Sequence, residues 1–175
     1  EPAVVTVGSI HGGTKHNIIG NECDLQLTVR SYSESVRQKV LSAIQRKAKA
    51  VAVSFDAPPP EITISEGTPS LRNDDDLTAR LKQVFESTLG TDKVSVDEPS
   101  MGGEDFSRYG REGVPILMYR LGSVNQSRLD RFKALGVPAP SLHSSQYYPD
   151  VEPTLTTGIL TMTGAALELL KKDQQ

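Results

Sequence analysis

The order of predicted elements over the first 65 residues limits the fold of this chain more than any other feature. Residues Ala3 to Ile10 are β-branched and apolar on both faces, which predicts a central strand. From Cys23 to Arg30 apolar and polar residues alternate strictly, which predicts a half-exposed strand. An apolar stripe at helical spacing runs from Val36 to Val51, and Glu61 to Ser65 alternates as a third strand. The order is therefore strand, strand, helix, strand.

This order matches the last four elements of a βαββαβ sandwich, the ferredoxin-like unit. Three strands with one covering helix leave part of the sheet face bare, so we expect an initial strand and helix upstream of residue 1. Residues 1–67 are then an incomplete domain of this type. We expect Ser33 or Ser35 to cap the helix, with Ser35 and Gln38 forming a capping box.

Residues 68–175 predict part of an α/β layer, so the fold class of the whole chain is α/β. A linker-like stretch rich in Gly, Pro and Ser separates the two parts near residue 67. The predicted elements are a helix that Asp74 or Asp76 caps and Gly90 ends, strands at 94–97 and 114–121, one helical turn within 129–135, and a final helix from about Thr154.

Composition excludes several classes of protein. The 175 residues carry a formal charge of −3, with no basic footprint for nucleic acid. No run of eighteen apolar residues is present, so no membrane span is predicted. Cys23 is the only cysteine, which rules out an internal disulfide and a cysteine zinc cluster. A signal peptide further upstream would not be visible, so the compartment stays open between cytoplasm and periplasm or exterior.

The loop from Ser100 to Phe106 is the first stretch suited to chemistry. Gly102 and Gly103 permit close approach of a ligand, or form a simple tight turn. Glu104 and the acid that follows it are candidates for acid–base groups, for partners of such groups, or for acids at the start of a helix. A glycine pair and two acids leave these alternatives open.

The second such stretch is the polar loop around His143. A neutral imidazole is a good metal ligand, although a histidine in a surface turn is the alternative. One histidine cannot hold zinc, so a metal site needs ligands from elsewhere. We expect this loop and the Gly102–Gly103 loop to meet at one site.

Three further residues are candidates for substrate binding. Arg30 ends the polar face of its strand, where it can grip a carboxylate bidentately or form a cross-strand ion pair. His16 and Asn17 lie in a glycine-bearing loop, where they can bind a polar ligand or make turn hydrogen bonds.

Five segments, taken together, resemble the C-terminal half of the metal-dependent amidohydrolases. This family contains aminoacylase, hippurate hydrolase, the auxin-conjugate hydrolases and N-acetyl-diaminopimelate deacetylase. Gly20 departs from the family pattern, which usually has proline there. The matching segments are Gly12-Gly13 to Asn17-Ile18-Ile19, Leu27-Thr28-Val29-Arg30, Met101-Gly102-Gly103-Glu104-Asp105-Phe106, Leu121-Gly122 and Leu142-His143-Ser144.

The resemblance implies a zinc-peptidase-like catalytic domain with two divalent metal ions, zinc being expected and manganese or cobalt the alternatives. It also implies an inserted βαββαβ lid that mediates homodimerisation. By the same resemblance, His143 is a metal ligand, and Asn17 and Arg30 bind the substrate carboxylate. Gly102 and Gly103 line the substrate cleft, with Glu104 supporting their loop.

The implied activity is metal-dependent hydrolysis of the amide bond of N-acyl amino acids or related peptide-like substrates. The other metal ligands and the glutamate general base of the family belong to its N-terminal half, so we expect this chain to be inactive alone. The alternative is a non-catalytic dimerisation or ligand-binding module of ferredoxin-like type. Neither reading involves nucleic acid or a membrane.

Overall fold

A computed structural model describes residues 1–171, and the backbone divides into two compact units. The first unit contains residues 1–72 and 98–114. The second contains residues 73–97 and the described residues from 115 onward. The architecture is mixed α/β, as predicted, while the domain boundary after residue 67 stays a prediction.

The first unit is built on an antiparallel hairpin of β1, Ala3–Gly12, and β2, Cys23–Ser31. Its register changes between Val7 and Ser9, where Gly8 is an extra residue without a partner. Opposite residues of an antiparallel pair share a face, so this bulge keeps Val5, Val7 and Ile10 on the same side of the hairpin. β1 is one strand of a two-stranded sheet, so the prediction of a central strand was wrong. The extra residue at the bulge interrupts the alternation of apolar and polar residues along β1, so the sequence reads as apolar on both faces.

A long helix follows the hairpin and contacts β2. This helix, α1, is Glu34–Ser54, and its N-cap is Ser33, whose hydroxyl accepts a hydrogen bond from the N–H of Val36 at 3.4 Å. The predicted capping box does not form, because Ser35 already lies inside the first turn. Gln38 instead donates to the Glu34 carboxylate at 2.6 Å.

The three other predicted strands, at 61–65, 94–97 and 114–121, are absent from the described residues, whose one sheet has the order β1–β2. A strand needs a neighbouring backbone to pair with, and alternation alone does not supply one. In the last segment the backbone groups bond to other partners. Ile116 O accepts from Asp74 N at 2.8 Å, and the Asn73 side chain bonds both backbone groups of Met118. The complete βαββαβ lid therefore stays a prediction.

The second unit packs two helices, α2 and α5, against each other. The Asp74 side chain caps α2 by accepting from Leu77 N at 2.8 Å, and Gly90 ends it at a φ of 97°, both as predicted. α5 begins after Asp150, three residues before the predicted start at Thr154. The helices of the chain after α1 are α2, Asp75–Leu89; α3, Ser107–Arg111; α4, Gln126–Ala134; and α5, Val151–Leu169, with a short 3₁₀ turn at Thr91–Lys93.

The core of the second unit is small and centred on Phe85. This ring is 7% exposed and packs at a centroid distance of 4.9 Å on Tyr119, whose hydroxyl is 2.9 Å from that of the buried Thr161. Leu81 and Ile116 complete the buried apolar group. None of the helices in the described residues has both the length and the apolar composition needed to cross a bilayer.

Phe85→Ala should lower the free energy of unfolding by about 3 kcal/mol, because it opens a cavity where the neighbours cannot fully close. Denaturant unfolding measures this change. The matched control is Phe55→Ala, since Phe55 is 79% exposed, and it should stay within about 0.5 kcal/mol of the parent. Equal destabilisation by both substitutions would contradict the assignment of the core.

Candidate active-site residues

His143 lies in a tight turn of the second unit. The Ser144 N–H donates to Ser141 O at 2.9 Å, which places Leu142 and His143 at the two central positions of the turn. The imidazole is exposed and makes no hydrogen bond within residues 1–171. It is therefore accessible to a ligand, as the predicted role of His143 requires.

The loop that carries His143 is anchored by contacts at its C-terminal end. Asp150 accepts hydrogen bonds from the Asn125 N–H at 2.6 Å and from Arg128 Nη1 at 3.1 Å. Arg128 Nη2 donates to Tyr148 O at 2.6 Å, and its guanidinium lies 5.3 Å from the centroid of the Tyr148 ring. Ser123 O accepts from the Asp150 N–H at 2.7 Å. The sequence does not indicate these anchors, because an asparagine before a helix predicts a cap but not the cap's long-range partner.

The anchoring contacts change the titration of Asp150. The backbone N–H of Asn125 lowers the pKa of this carboxyl below its ordinary value, and the Arg128 guanidinium lowers the pKa further, partly offset by desolvation. Because the folded-state pKa is the lower one, the stabilisation is fully present above the unfolded pKa of about 3.9. It is lost as the pH falls through the folded-state pKa.

An NMR titration of the Asp150 carboxyl carbon should therefore give a midpoint below that of an ordinary aspartate. Arg128→Ala should move the midpoint up, but only partly, because the larger contribution comes from the Asn125 backbone. The exposed Arg131 on the same helix serves as control, and Arg131→Ala should leave the midpoint in place. A midpoint at or above the ordinary value would contradict these contacts.

Arg30 and the Gly102–Gly103 loop come together within the first unit. Arg30 Nη1 donates to Met101 O at 2.5 Å, directly before the glycine pair. Both glycines and the arginine are exposed. The contact uses one of the five N–H donors of the guanidinium, so the remaining donors are available to an anion beside the loop. Within residues 1–171 Arg30 makes no ion pair, so the alternative of a cross-strand ion pair is wrong for this part of the chain.

Glu104 begins the turn that leads into α3. Its carbonyl oxygen accepts from Ser107 Oγ at 2.5 Å, and its carboxylate lies 3.5 Å from the Phe106 N–H. These contacts fit the alternative of an acid at a helix start. Its supporting role at a catalytic site stays a prediction.

His16 and Asn17 are exposed at the closed end of the hairpin. They are the central residues of a turn in which Ile18 N–H donates to Lys15 O at 3.1 Å. Arg30 pairs with Val4 at the open end, seven residue steps beyond Cys23 on β2. At about 3.3 Å a step, the two ends are roughly 23 Å apart. The binding of one substrate carboxylate by both Asn17 and Arg30 stays a prediction.

The described residues do not make a metal centre by themselves. Within residues 1–171 no three His, Cys, Asp or Glu side chains come together as a metal-binding group. His143 is the single predicted ligand. It belongs to the second unit, whereas Arg30 and the glycine loop belong to the first. The meeting of the two loops at one site stays a prediction.

Comparison with known proteins places the chain in a family. A model of Peptidase family M20/M25/M40 matches residues 4–137, more than half of the chain. Thermostable carboxypeptidase 2 of Saccharolobus solfataricus is 29% identical over 172 residues, covering 98% of this chain and 40% of that protein. An N-acetyldiaminopimelate deacetylase of Streptococcus suis is 32% identical over 123 residues, covering 70% of this chain and 32% of that protein.

A solved structure shares the fold. It is the YXEP protein of Bacillus subtilis, described as a dinuclear metal-binding peptidase of the M20 family. The TM-score is 0.67 at 21% sequence identity, over 96% of this chain and 42% of that one. The chain thus spans about 40% of the length of the first relatives it matches. With its family model and fold in agreement, the chain belongs to Peptidase family M20/M25/M40.

Proposed function

We propose that the whole protein hydrolyses the amide bond of N-acyl amino acids or related peptide-like substrates in a metal-dependent reaction. The observation that carries this proposal is the family match over residues 4–137. Relatives are named carboxypeptidase, N-acetyldiaminopimelate deacetylase and amidohydrolase, names that share cleavage of a peptide or amide bond. This chain contributes part of the site, because its described residues supply one candidate ligand for the metal ions, His143.

The chemistry of the first unit supports the proposed substrate class. An exposed guanidinium beside two glycines suits a carboxylate that lies close to the backbone. Arg30 would bind the carboxylate of the substrate, and Gly102 and Gly103 would border the cleft without side chains to obstruct it. Amides that lack a neighbouring carboxylate should then be poorer substrates.

We also propose that residues 1–67 belong to a lid through which two copies associate. The length of the hairpin supports this arrangement, because Arg30 lies at its open end and the loop with Asn17 follows its closed end, and a second copy can bring the two residues to one substrate. His16 and Asn17 of one copy would then complete a site that contains Arg30 of the other.

The test is an assay of the whole protein on a panel of N-acyl amino acids, with zinc, manganese and cobalt added in turn. We expect release of the free amino acid with at least one metal and none after chelation. The matched control substrates carry a carboxamide in place of the carboxylate and should be hydrolysed more slowly. Hydrolysis of none of the panel, with metal bound, would overturn the proposed function.

A further inference from the structure

Arginines of two helices hold the segment Ser65–Gly67 in the first unit. Arg108 Nη2, from α3, donates to Gly67 O at 2.9 Å. Arg37 Nη2, from α1, donates to Glu66 O at 3.1 Å. Gly67 has a φ of 70°, a conformation that other residues rarely adopt. The backbone of this segment is thus held by side chains from two helices that are distant in sequence.

This segment lies against the glycine loop. A Cβ placed on Gly103 would have Thr68 Oγ1 as its nearest neighbour, at 3.6 Å. Met101, two residues earlier, bonds to Arg30 at its carbonyl oxygen. The residues from Met101 to Gly103 are therefore held by Arg30 at one end and lie against Thr68 at the other.

α3 closes these contacts into a ring. Ser107 is 2% exposed, and its N–H and Oγ both donate to Glu104 O. The residue after it, Arg108, reaches Gly67, which is covalently joined to Thr68. Contacts and covalent bonds thus connect Gly103 to Thr68 and Gly67. They then return from Gly67 to Gly103 through Arg108, Ser107 and Glu104. Substituting Arg108 removes one link of this ring without altering the loop itself.

We propose that Arg108 is a positioning residue that holds the Gly102–Gly103 loop, and with it the Met101 carbonyl that orients Arg30. Arg108 acts through the Gly67–Thr68 backbone and touches no substrate. The kinetic consequence rests on the proposed function. The effect on the loop does not, since it concerns the contacts of the protein alone.

The first measurement is hydrogen exchange at the amides of Phe106 and Ser107, which donate to Glu104 at the end of the glycine loop, in the whole protein without substrate. Arg108→Ala should raise their exchange rates several-fold, and Arg108→Lys should restore part of the protection. The matched control is Arg46→Ala, since Arg46 is exposed on α1 without a partner in residues 1–171. Unchanged exchange in Arg108→Ala would overturn the proposal, whether or not the protein hydrolyses amides.

The second measurement is a double-mutant cycle with Arg30. Arg108→Ala should raise KM for an N-acyl amino acid by about three- to fivefold with little change in kcat, because an exposed hydrogen bond is modest. If Arg108 acts through the loop that orients Arg30, it should have almost no further effect on KM in an Arg30→Ala background. Additive effects would overturn the proposed route. Absence of turnover in the parent would instead overturn the proposed function and leave the exchange result to decide the role of Arg108.

Discussion

His143→Ala in the whole protein is expected to remove at least one bound metal ion and to reduce kcat by roughly a hundredfold or more. Loss of a residue that merely supports a metal ligand costs about ten- to a hundredfold in affinity or activity, and loss of the ligand itself costs at least as much. The turn geometry strengthens the expectation, because the imidazole is exposed and bonded to no other described residue. Metal content by elemental analysis and turnover should fall together.

The matched control is His11→Ala. His11 is an exposed histidine on β1, opposite Asp24 in the hairpin, and no metal-binding role is predicted for it. The control should keep metal, turnover and the unfolding midpoint of the parent, and all three proteins should share one midpoint when measured after chelation. Full metal occupancy and unchanged turnover in His143→Ala would contradict its role as a ligand.

Arg30→Ala is expected to raise KM for carboxylate-bearing substrates by about ten- to a hundredfold, the cost of a charge-assisted, bidentate contact. Bound metal should not change, because Arg30 supplies no ligand. Arg30→Lys should recover only part of the loss, since an ammonium cannot present two parallel donors. For the carboxamide control substrates, parent and variant should have similar KM values. An equal rise in KM for both kinds of substrate would contradict carboxylate binding by Arg30.

Mixing two impaired variants, assayed at a substrate concentration below their raised KM values, tests whether the second copy takes part in the same site. Arg30→Ala and Asn17→Ala, dissociated and reassembled together, should recover activity at about one site in four. That fraction follows because half of the dimers are mixed, and each mixed dimer has one site with both native residues. Activity that stays at the unmixed level would contradict the shared site.

Local signals were the part of the fold that sequence predicted well. Asp74 begins α2 and Gly90 ends it, as predicted, because capping depends on residues within one turn of the helix end. The predictions of strands at 61–65, 94–97 and 114–121 were wrong, because strand pairing depends on a partner that is far away in sequence. In the last of these, Asn73 and Asp74 took the place that a neighbouring strand would have occupied.

The candidate site shows the same difference between local and long-range features. The motif residues were found from sequence, since glycine pairs, acids and a loop histidine are recognisable where they stand. The contacts that position them were not. Arg128 meets Asp150 across 22 residues and Arg108 meets Gly67 across 41, and no local pattern indicates which carbonyl or carboxylate a given arginine will reach.

The unpaired Gly8 in β1 has a consequence for the far end of the hairpin. Its conformation does not demand glycine, because an added Cβ would meet only Gln26 O at an ordinary 3.8 Å. What matters is that it is one residue more than its partner strand has. Deleting it would leave Ser9 opposite Gln26 and Ile10 opposite Leu25, so the ladder would run on without a bulge and no side chain would change face. A bulge bends its strand and increases the local twist, so the deletion would straighten the hairpin and change the direction in which the loop with His16 and Asn17 projects.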